Sequence, residues 1–435
     1  LMQVASLQQE ALGDITAAEG TYRRVLGLDP EDADLVLPAA RALEAIYVGS
    51  NRPEELADVL RLQVALESDG ERRGELLARI GELSAEVLGD TEGAIAAWEA
   101  RLEETPDEPE ALAALDDLYT RAGRWEQLVG VLERRRDLAS GEERRALLLR
   151  QAEVQRDRLE QKSAAVETFQ SIVDEFGPAA EIYQSLEGLF AELERWDDLN
   201  ETYERHLDIV ETDEERLAVL AALGNSRRDH TKDYPGALEA YRRAISIDST
   251  HGASRAALNE MLALEDRTAR MEAAEILHPI YEAEGDHARL IEIVEIEVEV
   301  ADDPSERLDK LELATRIAED ALDDAARAYG YAERAVRDAA AQGDVTPYLV
   351  TLDRLAGTTG RRREQAEVLE AIVPELFDGD LQVDVTRRVA ELHRYELGSP
   401  ERAKETYCKV LELRADDRAS LLALEELYGE SGEAA

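Results

Sequence analysis

Cysteine is nearly missing from these 435 residues. Cys408 is the single one, which excludes internal disulfides and any cysteine-rich metal site. Lysine is scarce as well. Among 50 basic residues only Lys162, Lys232, Lys310, Lys404 and Lys409 are lysines. Such an arginine bias is the habit of GC-rich genomes, most often bacterial, and an acidic, lysine-poor surface also fits salt adaptation. Long apolar runs are absent, and none approaches the ~20 residues that span a bilayer. The chain opens Leu1-Met2-Gln3 without the charged and apolar regions of a secretory signal, so a cytoplasmic location is expected. Positive charge is the largest deficit. Aspartate and glutamate number 98, leaving a net charge of -48. Nucleic acid and anionic membrane surfaces would be repelled.

Catalytic motifs are wanting too. There is no calcium loop, glycine-rich phosphate loop or serine elbow. Glu275 and His278 stand at i, i+3, but a carboxylate-bridged di-metal site needs that motif twice plus two further glutamates. No second Glu-x-x-His occurs, and His287 falls in a structural aromatic slot. Neither a metal, a cofactor nor a catalytic residue is expected. Cys408 reads as a small, buried or half-buried side chain.

What is present is 44% hydrophobic residues, too many for a disordered acidic tail. Ala, Leu, Glu and Arg dominate, with apolar residues at i, i+3, i+4 and i+7, which predicts helix. Pro53, Pro109, Pro178, Pro235, Pro304 and Pro400 read as first-turn positions. Pro279 and Pro374 predict a kink or a shifted boundary. The stretch Ile291 to Val300 ends in strand-like alternation, yet it occupies the slot of Val129 to Leu138 and is read as helix.

The aromatics reveal a repeat. Tyr22, Trp98, Phe169 and Tyr241 are 76, 71 and 72 residues apart. Each follows an alanine by four residues: Ala18, Ala94, Ala165 and Ala237. Ala403 and Tyr407 repeat the pair, and Ala328 and Ala332 hold the same slots with a smaller residue. Thirteen residues before each alanine stands Ala5, Gly81, Ala152, Gly224, Thr315 or Ala390. Gly81 is thereby expected to face Ala94 where two antiparallel helices cross closely, with the aromatic filling the wedge against the next helix. Gly13-Asp14, Gly89-Asp90 and Gly398-Ser399 mark the turns between. A second, leucine-rich pair follows, as in Leu112, Leu115, Tyr119, Gly123, Trp125, Leu128 and Leu132. The unit is therefore four helices in about 72 residues. Between Trp196 and His287 the step is 91, which predicts an additional helix near His251 to Leu264 and a change of curvature there.

The spacing Ala94-x3-Trp98-x7-Pro106, with Gly81 upstream, resembles the tetratricopeptide repeat (TPR). So do Ala18-x3-Tyr22-x7-Pro30 and Leu397 to Leu413. The superunit is similar to large repeat proteins of myxobacteria and their relatives. The second pairs depart from the family, since Leu128 and Leu199 replace its central alanine. The first helix of the strong pairs runs one residue longer than the family pattern. The resemblance implies an all-α, right-handed α-solenoid of antiparallel helix pairs, about 24 helices, with first helices lining the concave face. It also implies protein or peptide partners. The carboxylate clamp of chaperone-tail binders does not carry over, because lysine and asparagine are too few.

The expected organisation is a regular array over 1–250, an irregular junction over 251–284, and a second part of the array over 285–435. Ala5 has few residues before it, and Leu421, Leu424 and Tyr428 lack a covering helix before the chain stops within Gly429-Glu430-Ser431-Gly432. Both ends are thus expected to continue into further repeats or to meet another subunit. One column, Arg73, Arg144, Arg216 and Arg307, has two readings. Either each pairs with a glutamate on an adjacent helix, or the column receives acidic groups of a partner. The leading function is a non-enzymatic scaffold for protein partners. The alternative is a structural component that assembles with itself by solenoid stacking.

Overall fold

The computed structural model describes residues 1–431, so Gly432 lies outside the described residues. The chain divides into two compact units, Leu1–Ile209 and Val210–Ala435. Each is an α-solenoid of antiparallel helix pairs, and no strand occurs among the described residues. In the first unit, α1 (Met2–Glu10) pairs with α2 (Ile15–Leu26), α3 (Ala33–Gly49) with α4 (Pro53–Leu66) and α5 (Gly70–Glu82) with α6 (Thr91–Glu104). There follow α7 (Pro109–Ala122) with α8 (Trp125–Leu138), α9 (Gly141–Asp157) with α10 (Lys162–Phe176), and α11 (Ala180–Glu192) with α12 (Trp196–Leu207). In the second unit, α13 (Asp213–Ser226) pairs with α14 (Tyr234–Ile247), and α15 (Gly252–Met261) stands unpaired. Next come α16 (Arg267–Glu284) with α17 (His287–Val300), α18 (Pro304–Arg316) with α19 (Ala325–Gln342), and α20 (Thr346–Thr359) with α21 (Arg362–Ile372). The last elements are α22 (Gly379–Glu391), α23 (Pro400–Leu413) and α24 (Arg418–Ser431).

The turns inside the strong pairs share one design. Nine residues before each aromatic-column position the backbone enters the left-handed region: Gly13, Gly89, Glu160, Lys232, Asp323 and Gly398. That conformation ends a helix by letting late amides bond back to its carbonyls. The next residue opens the second helix. The carboxylates of Asp14, Asp90, Asp233 and Asp324 accept the N–H groups of Ala17, Gly93, Gly236 and Arg327. The one-residue excess of the first helices is absorbed just before this turn. The helix widens there into a π turn at Leu83–Leu88, Arg227–Thr231, Ile317–Ala321 and Leu392–Glu396. A π turn is the local geometry that accommodates a single inserted residue without breaking the helix.

The wedge is built differently from the sequence expectation. A side chain added at Gly81 would meet the indole of Trp98, with Cε2 at 2.7 Å, rather than Ala94. At Gly224 it would meet the ring of Tyr241, with Cδ1 at 2.8 Å. The small residue of the first helix is thus the seat of the second helix's aromatic, and the alanine column (Ala94, Ala165, Ala237, Ala403) is fully buried beside it. Ala5 with Tyr22, Ala152 with Phe169, and Ala390 with Tyr407 share core clusters in the same way. Where the aromatic is replaced by Ala332, the seat is the larger Thr315, whose hydroxyl bonds back to the Leu311 carbonyl at 2.8 Å.

Three further expectations need correction. Pro178 lies two residues ahead of α11, because Gly177 already ends α10 and the chain extends before the next helix. At Pro374 the expected shift of boundary occurs, the α-helix giving way to a 3-10 turn, Val373–Glu375, while α16 continues through Pro279 without a change of boundary. Cys408 is exposed, since Ala403, Lys404 and Tyr407 take the inward face of α23 and the next residue turns about 100° away. His287 is exposed at the first position of α17, where Trp125 and Trp196 are half-buried.

Candidate partner-binding surface

The arginine column makes one recurrent contact. Arg73 grips Glu104 with Nε and Nη2, each at 2.7 Å, while Nη1 donates to the Glu67 carbonyl at 3.0 Å. Arg144 donates to Glu175 at 2.7 Å and to the Arg136 carbonyl at 2.7 Å. Arg216 donates to Asp213 at 3.0 Å and to the Val210 carbonyl at 2.8 Å. At the same position of α22, Gln382 reaches the Leu376 carbonyl at 2.7 Å. In each case a first-helix side chain covers a main-chain carbonyl left open where the preceding helix ends. Arg307 differs: its Nε is buried without a hydrogen-bond partner among the described residues.

A second set of polar contacts was not visible in the sequence reading. In four of the five leucine-rich pairs, two buried or half-buried polar side chains meet across the helices at a separation of 19 residues, whereas between α20 and α21 Gln365 donates to Asp353 at a separation of 12. The four are Glu44 with Gln63 at 2.7 Å, Asp116 with Arg135, Glu187 with His206 at 2.6 Å, and His278 with Glu297 at 2.8 Å. A cation from the next first helix joins several: Arg79 on Glu44, Arg150 on Asp116, and Lys310 on Glu297 at 2.8 Å. The residue types change from copy to copy while donor still meets acceptor. Only the fixed offset of 19 with complementary types could have revealed it.

These pairs differ electrically. Burial raises the Glu187 carboxyl above the ordinary glutamate range, and the bond from His206 offsets this only in part. Burial would also raise Glu297, but bonds from His278 and Lys310 outweigh it and hold that carboxylate below its usual range. His278 is therefore engaged with Glu297, while Glu275 lies exposed on another side of α16. No group of three or more His, Cys, Asp or Glu side chains poised for a metal occurs among the described residues.

The surface opens most clearly in the second unit. Helices α18 and α20 flank a cleft of about 370 Å³ with α19 beneath it. Thr315, Ala332 and Ala335 contribute to its floor, and Tyr348 and Thr351 to its α20 wall. Across its mouth Arg354 of α20 is paired with Glu319 of the π turn, one N–O distance being 2.6 Å.

Residues 111–146, which cover α7, α8 and the first turn of α9, match the family model of the tetratricopeptide repeat. No curated protein matches the chain. Among solved structures, one described as Naa15/Naa10 bound to HypK-THB is similar at 14% identity, covering 98% of this chain and 67% of that one, with a TM-score of 0.31. The P58(IPK) TPR domain is similar at 14% identity over 99% and 98% of the two chains, with a TM-score of 0.24. A MamA RS-1 ArsTM double mutant matches 41% of this chain and 97% of its own at 18% identity, with a TM-score of 0.25. The repeat match covers 36 of the 435 residues, and the helix pairs around it have the architecture of a TPR-like α-solenoid. No helix among the described residues is long and apolar enough to cross a membrane.

Proposed function

We propose that the chain is a non-enzymatic scaffold that presents the grooves between successive first helices to a protein partner. The observation that carries this reading is the cleft between α18 and α20, open to solvent and lined from both first helices. The recognition would be rigid, because the packing columns, the capped turns and the inter-helix polar pairs fix each helix against its neighbours. Within this reading Arg73, Arg144 and Arg216 act as internal clamps, already occupied by a carboxylate and a carbonyl. Arg307, half-buried at the same position, is the column member left for a partner's acidic group, which would meet its guanidinium away from the buried Nε. The unpaired α15 supports a break in strict pairing over 251–284, between a regular array and its second part.

Self-assembly is the second reading. It is favoured by Val350 on α20 and Phe377 just before α22, large apolar side chains more than two-thirds exposed away from the ends of the chain. Sedimentation across a wide concentration range separates the two. The scaffold reading expects a constant monomer mass and a complex of fixed stoichiometry with a protein purified alongside it from the native host. Mass that grows with concentration, and no complex with any other protein, would overturn it.

A further inference from the structure

The packing column that builds the array fails in one copy, and an open cleft lies over the failure. Tyr22, Trp98, Phe169, Tyr241 and Tyr407 hold the aromatic position in five copies, all buried. Ala332 holds it in the remaining one. A covering side chain changes with it. Four residues before the left-handed turn residue, three copies carry an arginine set against the aromatic. Arg156 lies over the Phe169 ring at 5.9 Å, and Arg228 and Arg394 act on the phenols of Tyr241 and Tyr407. In the copy with Ala332 that position is Glu319, an acid in place of the cation. It is drawn across the mouth to Arg354. The ring does not require the cation, since Gln9 and Ala85 hold that position in the Tyr22 and Trp98 copies, but this copy alone of the six places an acid there.

The floor and wall left behind suit an aromatic guest. Ala332 and Ala335, almost fully buried, line the base of the cleft, and Tyr348 offers a half-buried ring beside them. Offset or edge-to-face contact with such a ring adds to the burial of apolar area. A volume of about 370 Å³ falls at the lower end of ligand-sized clefts, about 300–1,000 Å³. The electrostatics select a cationic neighbour for that guest. Burial, reinforced by the negative charges of Glu312, Asp309 and Asp344, pushes the ionisation of the Tyr348 phenol up. Glu319 and Asp320 stand at the mouth. The opposing cations are Arg354, already paired, and the exposed Arg316. Beyond them lies a chain with a net charge of -48, which concentrates basic partners and repels acidic ones.

We infer that the cleft between α18 and α20 receives an aromatic side chain of a partner protein, carried on an extended segment with lysine or arginine on either side. The guest ring lies in the cleft over Thr315 and Ala332, which close the array's own aromatic seat in this copy, and its flanking cations meet Glu312 and Asp320 and compete with Arg354 for Glu319. This rests on the scaffold reading, since it names the chemistry that one groove of the scaffold would select.

The test uses the full chain and three synthetic peptides: Lys-Lys-Trp-Lys-Lys, the same with alanine for tryptophan, and Glu-Glu-Trp-Glu-Glu. Binding is read by calorimetry at 50 mM salt. The tryptophan peptide with lysines is expected to bind at least tenfold more tightly than either of the others. Two variants close the cleft. Thr315→Gly with Ala332→Tyr rebuilds the column from within, and Thr351→Trp plugs the mouth from the half-buried face of α20 without altering the core. Each is expected to weaken the lysine–tryptophan peptide at least tenfold. Equal binding of the alanine peptide, equal binding of the glutamate peptide, or undiminished binding by a folded Thr351→Trp chain would each overturn the inference. A host partner that binds wild-type and plugged chains equally would refute the cleft while leaving the scaffold standing. Absence of any protein partner for either chain would refute both.

Discussion

Gly81 is glycine because Trp98 occupies the space where its side chain would be. Trp98→Ala should cost about 3–5 kcal/mol through loss of burial and the cavity left behind. Gly81→Thr should cost about 1–3 kcal/mol through overpacking against the indole. Combined, the two changes install the natural Thr315 and Ala332 solution. Urea denaturation of the four chains should then give a coupling of at least about 1 kcal/mol in the favourable direction. Costs that add to within about 0.5 kcal/mol would mean that the two residues do not share one space. The buried carboxylates make a second contrast. Glu187→Gln removes a charge that burial disfavours and keeps a hydrogen-bonding group for His206, so its effect at pH 7 should be below about 1 kcal/mol. Glu297→Gln leaves His278 and Lys310 facing a neutral amide and should cost about 2 kcal/mol. The pH dependence follows from the lowered Glu297 value. Its ionised form contributes stability above the unfolded glutamate range, about 4.3, and that contribution is lost as pH falls through the lower folded value. The melting difference between wild type and Glu297→Gln should therefore shrink as pH is taken from 7 to below about 4. A difference that is constant over that range would show that the pair is not electrostatic.

At the scale of the helix, the left-handed turn residue is a shared device with unequal fittings. Glycine holds it in three strong pairs, but Glu160, Lys232 and Asp323 hold it in the others. A side chain there costs roughly 1–2 kcal/mol, of which glycine's greater unfolded-state freedom returns about 0.5–1 kcal/mol. Replacing Glu160, Lys232 and Asp323 together by glycine should raise the melting temperature of the chain, and Gly89→Val should lower it. A triple variant that melts lower than wild type would contradict this account of the turns. The helices themselves could be read from residues alone, because Ala94, Trp98 and Gly89 each carry a local signal whose spacing recurs. The strand-like run of Ile291 to Val300 became α17 because tertiary burial of Ile291, Ile293, Val294 and Val298 outweighs β-branched preference. Which residue seats the aromatic could not be read from spacing. Gly81 lies opposite both Ala94 and Trp98 to within one helical turn, and only the crossing of α5 and α6 selects the ring. The polar pairs were hidden because Glu44 with Gln63 and His278 with Glu297 share chemistry but not residue types. The exposure of Cys408 follows from helix geometry, since one step along the helix from buried Tyr407 reverses burial.

Over the whole chain, acidic groups exceed basic ones by 48, so pairing every arginine and lysine would still leave that many carboxylates in excess. Neighbouring helix pairs lie about 10 Å apart, close to the Debye length of about 10 Å at 0.1 M salt. The melting temperature should rise between about 20 and 300 mM sodium chloride as this repulsion is screened. A flat or falling curve would mean that ion pairs such as Arg73 with Glu104 and Arg255 with Glu284 outweigh the excess. An array whose helices are locked by repeated columns, and whose open groove lies between first helices, should meet its partner along those helices. Site-specific photo-crosslinking in the native host tests this most directly. A photoreactive residue is placed at Glu312, on the groove side of α18, or at Arg334, exposed on α19. A crosslink from position 312 to a different protein is expected, and none to that protein from position 334. Crosslinks from 312 only to further copies of this chain, or the same protein captured equally from 334, would contradict it.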